Sequence, residues 1–347
     1  MKIPHIKDAG LFVLLAAILV SLATFVKSSN EKKFSVSWNT MGTVVSVSGE
    51  NGLHVEKTAD EAKAVFGTYE RLLSAWNENS ELRKISKDAG SGKTHEITPS
   101  VSGVYKTAFE VMETSGGAFN PLIGNVMKLW GFNGGKALRV PAEKEIANLP
   151  FSPSDVFFDG ARIRLEKKGM SLDLGAIAKG AAVDRVAENV AKTLPGAEVA
   201  VNLGGNVKNL GKKPRKIGVR NPFGGGYAAT LVLSGGEAVA TSGNYERFVE
   251  MGGVRYAHIF DGRTGSPVTN GVAAVTVVSK SATLADALST TLFVLGPKDG
   301  SRLLASRYPD VAALWISVSN EWTMTPQMEK ICKKERQPNR AIAVPSR

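Results

Sequence analysis

Glu198-Val-Ala-Val-Asn-Leu203, Lys216-Ile-Gly-Val-Arg220, Ala228-Ala-Thr-Leu-Val-Leu233 and Ala238-Val-Ala-Thr241 follow one another, joined by stretches that carry Gly, Pro or Asn. Each run is short, rich in β-branched residues and bounded by Gly, Pro, Asn or Ser, which is the pattern of strands. Working outward, Phe34–Trp38 and Thr43–Ser48 alternate around a break at Asn39–Gly42. Asp155–Leu165, Met170–Leu174, His258–Phe260, Ala273–Val278, Val311–Val318 and Trp322–Met324 read as further strands. Helical spacing marks Val55–Ser74, a start at Ser80, Ser100–Ser115 before Gly116-Gly117, a helix running to about Lys192, Ala282–Leu295 and Gly300–Ser306. Runs of strands separated by helices predict an α+β fold: a large mixed or antiparallel sheet flanked by helices. Gly134–Pro153, with its Gly, Pro and charges, reads as a surface excursion.

The chain has 347 residues, 43% hydrophobic and 7% aromatic, enough for a real core and unlike a disordered composition. Its first segment is different. Lys2, His5 and Lys7 precede an unbroken apolar run, Leu11–Val26, closed by Lys27. That length suits a signal-peptide core or signal anchor, predicted over residues 1–29. The leading lysines favour a cytoplasmic N-terminus with the globular part exported to the periplasmic face of the membrane. A polar linker then leads to the domain expected over 34–326. The basic residues 329–347 read as a disordered tail. Cys332 is the single cysteine, so no intramolecular disulfide forms. The formal charge of +11 suits anionic ligands and membrane surfaces. Basic residues are scattered without aromatic interleaving, which argues against nucleic acid.

Chemistry concentrates in a few motifs. Tyr256-Ala-His-Ile-Phe-Asp-Gly-Arg-Thr-Gly-Ser-Pro267 gathers a His, an Asp and an Arg among turns, and Asp286-Ala-Leu-Ser-Thr290 follows. Asp286 and Thr290, four residues apart, share a helix face; one carboxylate and one hydroxyl, completed by substrate oxygens, suit Mg²⁺. An exposed acid and a back-bonded threonine are the plainer reading of that spacing alone. Ser171-Leu-Asp-Leu-Gly-Ala-Ile-Ala-Lys-Gly-Ala-Ala-Val-Asp184 is a strand, a turn and a helix N-terminus bearing Lys179, a place for an anion. Ala200–Asn206 and Ala240–Glu246 are strand-to-glycine turns of the kind that bring backbone N–H groups to phosphate oxygens. Walker A, Gly-x-Gly-x-x-Gly, zinc-ligand and Gly-x-Ser-x-Gly patterns do not occur.

These motifs, taken in order, resemble the ApbE family of FAD:protein FMN transferases. The matching pieces are Met41-Gly-Thr43, Leu73-Ser-Ala-Trp76-Asn-Glu-Asn-Ser80, Gly116-Gly-Ala-Phe-Asn-Pro121, Asp173-Leu-Gly-Ala-Ile-Ala-Lys-Gly180, Asn202-Leu-Gly-Gly205, Thr241-Ser-Gly-Asn-Tyr245, His258-Ile-Phe-Asp261-Gly-Arg-Thr-Gly265-Ser-Pro267 and Asp286-Ala-Leu-Ser-Thr290. The resemblance implies a T-fold-type α+β domain. It implies FAD as substrate and FAD-pocket roles for Met41, Trp76, Ala118, Phe119, Asn120, Lys179, Asp184, Gly204, Gly205, Thr241 and Ser242. Trp76 would stack on a ring of the FAD. It also implies Mg²⁺ held by the Ala176 carbonyl, Asp286 and Thr290, and catalysis by His258. A histidine of ordinary pKa near 6.5 accepts a hydroxyl proton at neutral pH. Partners would be acceptor flavoproteins such as membrane redox-pump subunits, modified on Thr or Ser with release of AMP. The sequence departs from the family's common pattern at Asn120, often Asp, and at Gly262, often Pro. Competing readings are an FAD pyrophosphatase that uses water, a flavin-binding protein without turnover, and a binding module for another nucleotide.

Overall fold

The computed structural model describes residues 33–133 and 139–335, so the apolar N-terminal run and residues 336–347 lie outside the described residues. Two tight turns set the architecture. Met41 (φ 49°) and Gly42 (φ 68°) fold Phe34–Thr40 (β1) onto Thr43–Gly49 (β2). Gly204 (φ 59°) and Gly205 (φ 93°) fold Val199–Leu203 (β3) onto Asn206–Asn209 (β4). Paired positive φ values make the hairpin turn whose twist matches its strands. Ala238–Gly243 (β5), Val272–Ser279 (β6), Ala312–Ser317 (β7) and Trp322–Met324 (β8) complete an eight-stranded sheet. Its spatial order is the chain order, and every neighbouring pair is antiparallel. The predicted α+β fold is therefore present, with a main sheet that is wholly antiparallel.

Strand direction alternates, so the β1–β2 turn, the β3–β4 turn and the C-terminal end of β5 share one end of the sheet. The segment between β5 and β6, which carries His258, leaves and returns there. One face of the sheet is covered by helices Gly52–Leu73 (α1), Ala178–Thr193 (α3) and Ala282–Arg307 (α4); α3 and α4 pack on each other, and Pro99–Thr114 (α2) packs on α4. The other face is covered by the hairpin Arg215–Arg220/Tyr227–Leu233. Period-two alternation divides the strands between the layers: Ala313 and Trp315 of β7 pack with the helices, while Ala312, Leu314 and Ile316 pack toward the hairpin. With both faces covered, β6 reads as a continuous apolar run (Val272-Ala-Ala-Val-Thr-Val-Val278).

Local chemistry accounts for the helix ends. Asn51 Oδ1 accepts from His54 N (3.1 Å) and Ser80 Oγ from Arg83 N (3.0 Å), each satisfying an N–H of a first turn. Gly116 and Gly117, at φ 62° and 84°, end α2. The two helices expected at 282–295 and 300–306 are both present within α4, parted where Gly296 leaves helical geometry (φ 71°, ψ 176°) before Pro297.

Other expectations need correction. Met170–Leu174 makes only an isolated bridge from Ser171 to Ile123, because its backbone groups bond the 121–124 turn: Asp173 N to Pro121 O at 2.8 Å and Gly124 N to Ser171 O at 2.9 Å. His258 precedes rather than joins a strand; Phe260–Asp261 pairs with Ser266–Pro267. The tail is ordered further than its polar composition suggests. Pro326–Ile331 is helical with Met328 fully buried, and Cys332–Lys334 pairs with Tyr227–Leu233. One buried Met anchors what charge alone would leave in solvent.

Candidate active site

Asp286 stands at the joint between α3 and α4. It is 5% exposed, and its Oδ2 accepts from Gly180 N (3.0 Å) and lies 3.8 Å from Lys179 Nζ. Gly180 is what allows this approach: a Cβ there would sit 2.2 Å from Ala282 O and 2.8 Å from Asp286 Cβ. Gly180→Ala is expected to push the two helices apart, lowering the thermal midpoint and activity together; a variant as stable and active as the parent would refute this joint. Because Gly180 N–H turns to Asp286, the Ala176 carbonyl, its ordinary helical partner, receives no backbone hydrogen bond among the described residues. Lys179 Nζ donates to Gly175 O at 2.9 Å and so leans over the same turn.

One turn along α4, Thr290 Oγ1 is 3.1 Å from Ser242 Oγ, which is also 2.8 Å from Ser289 Oγ. Thr241 points to the sheet's other face, where its Oγ1 meets Thr276 Oγ1 at 2.9 Å. The Asp286 carboxylate, the Thr290 hydroxyl and the Ala176 carbonyl are all hard oxygen donors, a chemistry that suits Mg²⁺ rather than a thiolate- or imidazole-seeking ion. Among the described residues no group of three or more His, Cys, Asp or Glu could hold a metal. An ion here would therefore share its coordination with oxygens of a bound phosphate.

His258 lies at this end, half-buried, its backbone N–H donating to Arg247 O at 3.1 Å and its Nδ1 lying 3.2 Å from the same oxygen. Burial, the Arg247 guanidinium and Lys179 push its pKa down to about 4, below the ordinary value expected from sequence. The ring is neutral at pH 7 and holds a free lone pair. The β1–β2 turn comes close: a Cβ on Gly42 would lie 3.6 Å from an Arg247 guanidinium nitrogen. Burial pushes the Glu246 carboxyl above the ordinary range against the pull of Lys179, Arg220 and Arg247, and Arg247 did not stand out in the sequence. The signal was there, two charged residues directly after the Thr241–Tyr245 turn.

The remaining predicted contacts divide. Met41 is half-buried against the core and Trp76 is 59% exposed, an orientation open to stacking. Gly204 packs against Thr43, where a Cβ would meet Oγ1 at 2.6 Å, and Gly205 N donates to Asn202 Oδ1 at 2.9 Å. Ala118 and Phe119 are buried in the core, so only their backbone is available to a ligand. Asn120 is corrected from a pocket side chain to a strut. Its Nδ2 donates to Phe151 O (3.0 Å) and Gly262 O (3.1 Å), and its Oδ1 accepts from Leu122 N (2.9 Å). The two departures at 120 and 262 thus touch: a Cβ at Gly262 would lie 2.4 Å from Asn120 Cβ. Arg263 is engaged by Asp261 at 2.7 Å.

Asp184 is corrected too. Its carboxylate accepts from Lys208 Nζ (2.8 Å), Ser281 Oγ (2.8 Å), Ala282 N (2.9 Å), Thr283 N (2.9 Å) and Thr283 Oγ1 (2.7 Å). Five donors saturate it, so it anchors the start of α4 to α3 and has no capacity left for a cofactor.

Residues 41–315 match the model of the ApbE family. The chain is 34% identical to the FAD:protein FMN transferase of Treponema pallidum over 327 residues, 87% of this chain and 89% of that one. It is also 34% identical over 286 residues to the FAD:protein FMN transferase of Rhodobacter capsulatus, covering 79% of this chain and about half, 54%, of that longer protein. The fold superposes on the crystal structure of the ApbE protein of Thermotoga maritima with a TM-score of 0.79 and 31% identity, covering 86% of this chain and 99% of the other. With its meander sheet, its α3–α4 joint and these matches across most of its length, the chain belongs to the ApbE family.

Proposed function

We propose that this protein is an FAD:protein FMN transferase that moves the FMN moiety of FAD onto a Thr or Ser hydroxyl of exported or membrane flavoproteins, with Mg²⁺ at the pyrophosphate and AMP as leaving group. The observation that carries the reading is the meeting of a neutral, lone-pair-bearing His258 with Lys179 and the oxygen set of Asp286 and Thr290 at one end of the sheet. A bound Mg²⁺ would supply charge neutralisation at the phosphate oxygens. Lys179, at the N-terminus of α3, adds a cation and a helix end to the same anion. The acceptor oxygen forms its bond to the FMN phosphorus as the pyrophosphate bond breaks. The hydroxyl proton passes to His258 and the electron pair leaves with AMP. The apolar N-terminal run, outside the described residues, supports export and membrane association of the N-terminus, where the acceptors would be met.

Chelation tests the metal directly. EDTA is expected to abolish transfer and added Mg²⁺ to restore it, while Asp286→Ala is expected to lose transfer and its response to Mg²⁺ together. Transfer that persists in EDTA would refute the metal role.

A further inference from the structure

Arg247 touches His258 twice, through the 3.1 Å and 3.2 Å contacts of its carbonyl oxygen with the backbone N–H and with Nδ1. A carbonyl oxygen can only accept, so Nδ1 carries the proton and Nε2 the lone pair of the neutral ring. Between the two residues the chain forms a hairpin, Phe248–Met251 paired with Val254–Ala257, turning on Gly252 (φ 59°) and Gly253 (φ 76°). The bond from His258 N to Arg247 O closes its base. The underside is fixed by Met251 packing with Trp130 and Phe260, and by Trp130 and Tyr256 with ring centroids 5.3 Å apart. The ring's orientation is thus inherited from an aromatic-anchored hairpin and not from a flexible loop. The charged groups that act on the ring are Arg247 and Lys179, both cationic.

We propose that Arg247 is a positioning residue for the transfer: its carbonyl fixes His258 as the Nδ1–H tautomer so that Nε2 takes the acceptor proton, and its guanidinium opposes protonation of that ring before the acceptor arrives. The proposal rests on the reading of His258 as the base. The acceptor O–H proton moves to Nε2 while the O–P bond forms and the bridging P–O bond breaks toward AMP. The resulting imidazolium, beside two cations, then releases its proton to solvent.

The test is a ¹⁵N-histidine NMR titration of the full-length protein, with the His258 signals identified by their loss in His258→Ala; only four histidines occur in the chain. The wild type is expected to show protonated Nδ1 and bare Nε2 at neutral pH, titrating near pH 4. In Arg247→Met the midpoint moves to higher pH, and the acidic limb of the transfer rate moves with it; Arg247→Lys, which keeps the charge, holds both near the parent. A purely structural role for Arg247 would lower the rate at all pH values without moving the limb. An unchanged midpoint in Arg247→Met, or a bare Nδ1 at neutral pH, would overturn the proposal. Transfer that persists in His258→Ala would overturn the base assignment itself while leaving the titration intact, so the two failures are distinguishable.

Discussion

Replacing His258 with alanine is expected to lower FMN transfer by about 10²–10⁴-fold, the usual contribution of a positioned base, with FAD affinity little changed. His258 reaches the site from the segment between β5 and β6, while Lys179 and Asp286, the groups proposed to serve the pyrophosphate, sit on α3 and α4. Removing the imidazole therefore leaves the pyrophosphate side intact. Parallel measurement of FAD binding by fluorescence and of transfer rate separates the two. A variant that still transfers at the parental rate would remove His258 from the chemistry, and one that loses FAD binding equally would make it a binding residue.

Asp184→Ala is expected to destabilise the protein by about 3–5 kcal/mol, the cost of breaking a buried, hydrogen-bonded charge pair. Lys208 Nζ, itself mostly buried, is left without its carboxylate, and the first turn of α4 loses the acceptor for two backbone N–H groups. Thermal or denaturant unfolding reads the loss. Activity per folded molecule should survive in part, because Asp184 is not positioned to touch a ligand. The same carboxyl makes a pH prediction. Burial works to raise its pKa, but Lys208 and the donors of α4 outweigh burial and hold it below the ordinary carboxylate range. A group with a depressed folded pKa contributes stability above its unfolded value, about 3.9, and loses it as pH falls through the folded value. The wild type should therefore lose stability below about pH 4, and Asp184→Ala should show a shallower acid slope. Parallel slopes would place the titrating group elsewhere.

Why Asp184 misleads in the sequence is instructive. A carboxylate closing a Gly-rich helix start has the appearance of a ligand, but its partners are Lys208 and Ser281–Thr283, on β4 and at the start of α4. No local spacing announces contacts of that range. Asn120 fails for the same reason, since Phe151 and Gly262 are distant in the chain. What was legible is what local rules govern: strands with period two, Ser80 as a cap, Gly116-Gly117 as a stop, and the Asp286–Thr290 face. The short hairpin at 248–257 was hidden because its strands carry Glu and Arg and its burial comes from Trp130 and Phe260 rather than from its own pattern. His258 could be placed by its motif, but its depressed pKa depends on Arg247 and Lys179 folding around it.

The most direct measurement is intact-mass analysis of a Thr-bearing acceptor flavoprotein after incubation with the full-length protein, FAD and Mg²⁺, with AMP quantified in the same mixture. A transferase yields an acceptor heavier by one phosphoester-linked FMN, AMP released in equal amount, and neither product in EDTA. FAD split to FMN and AMP with the acceptor mass unchanged would make the protein a hydrolase, and FAD left bound and intact would make it a binder; either result contradicts the transferase.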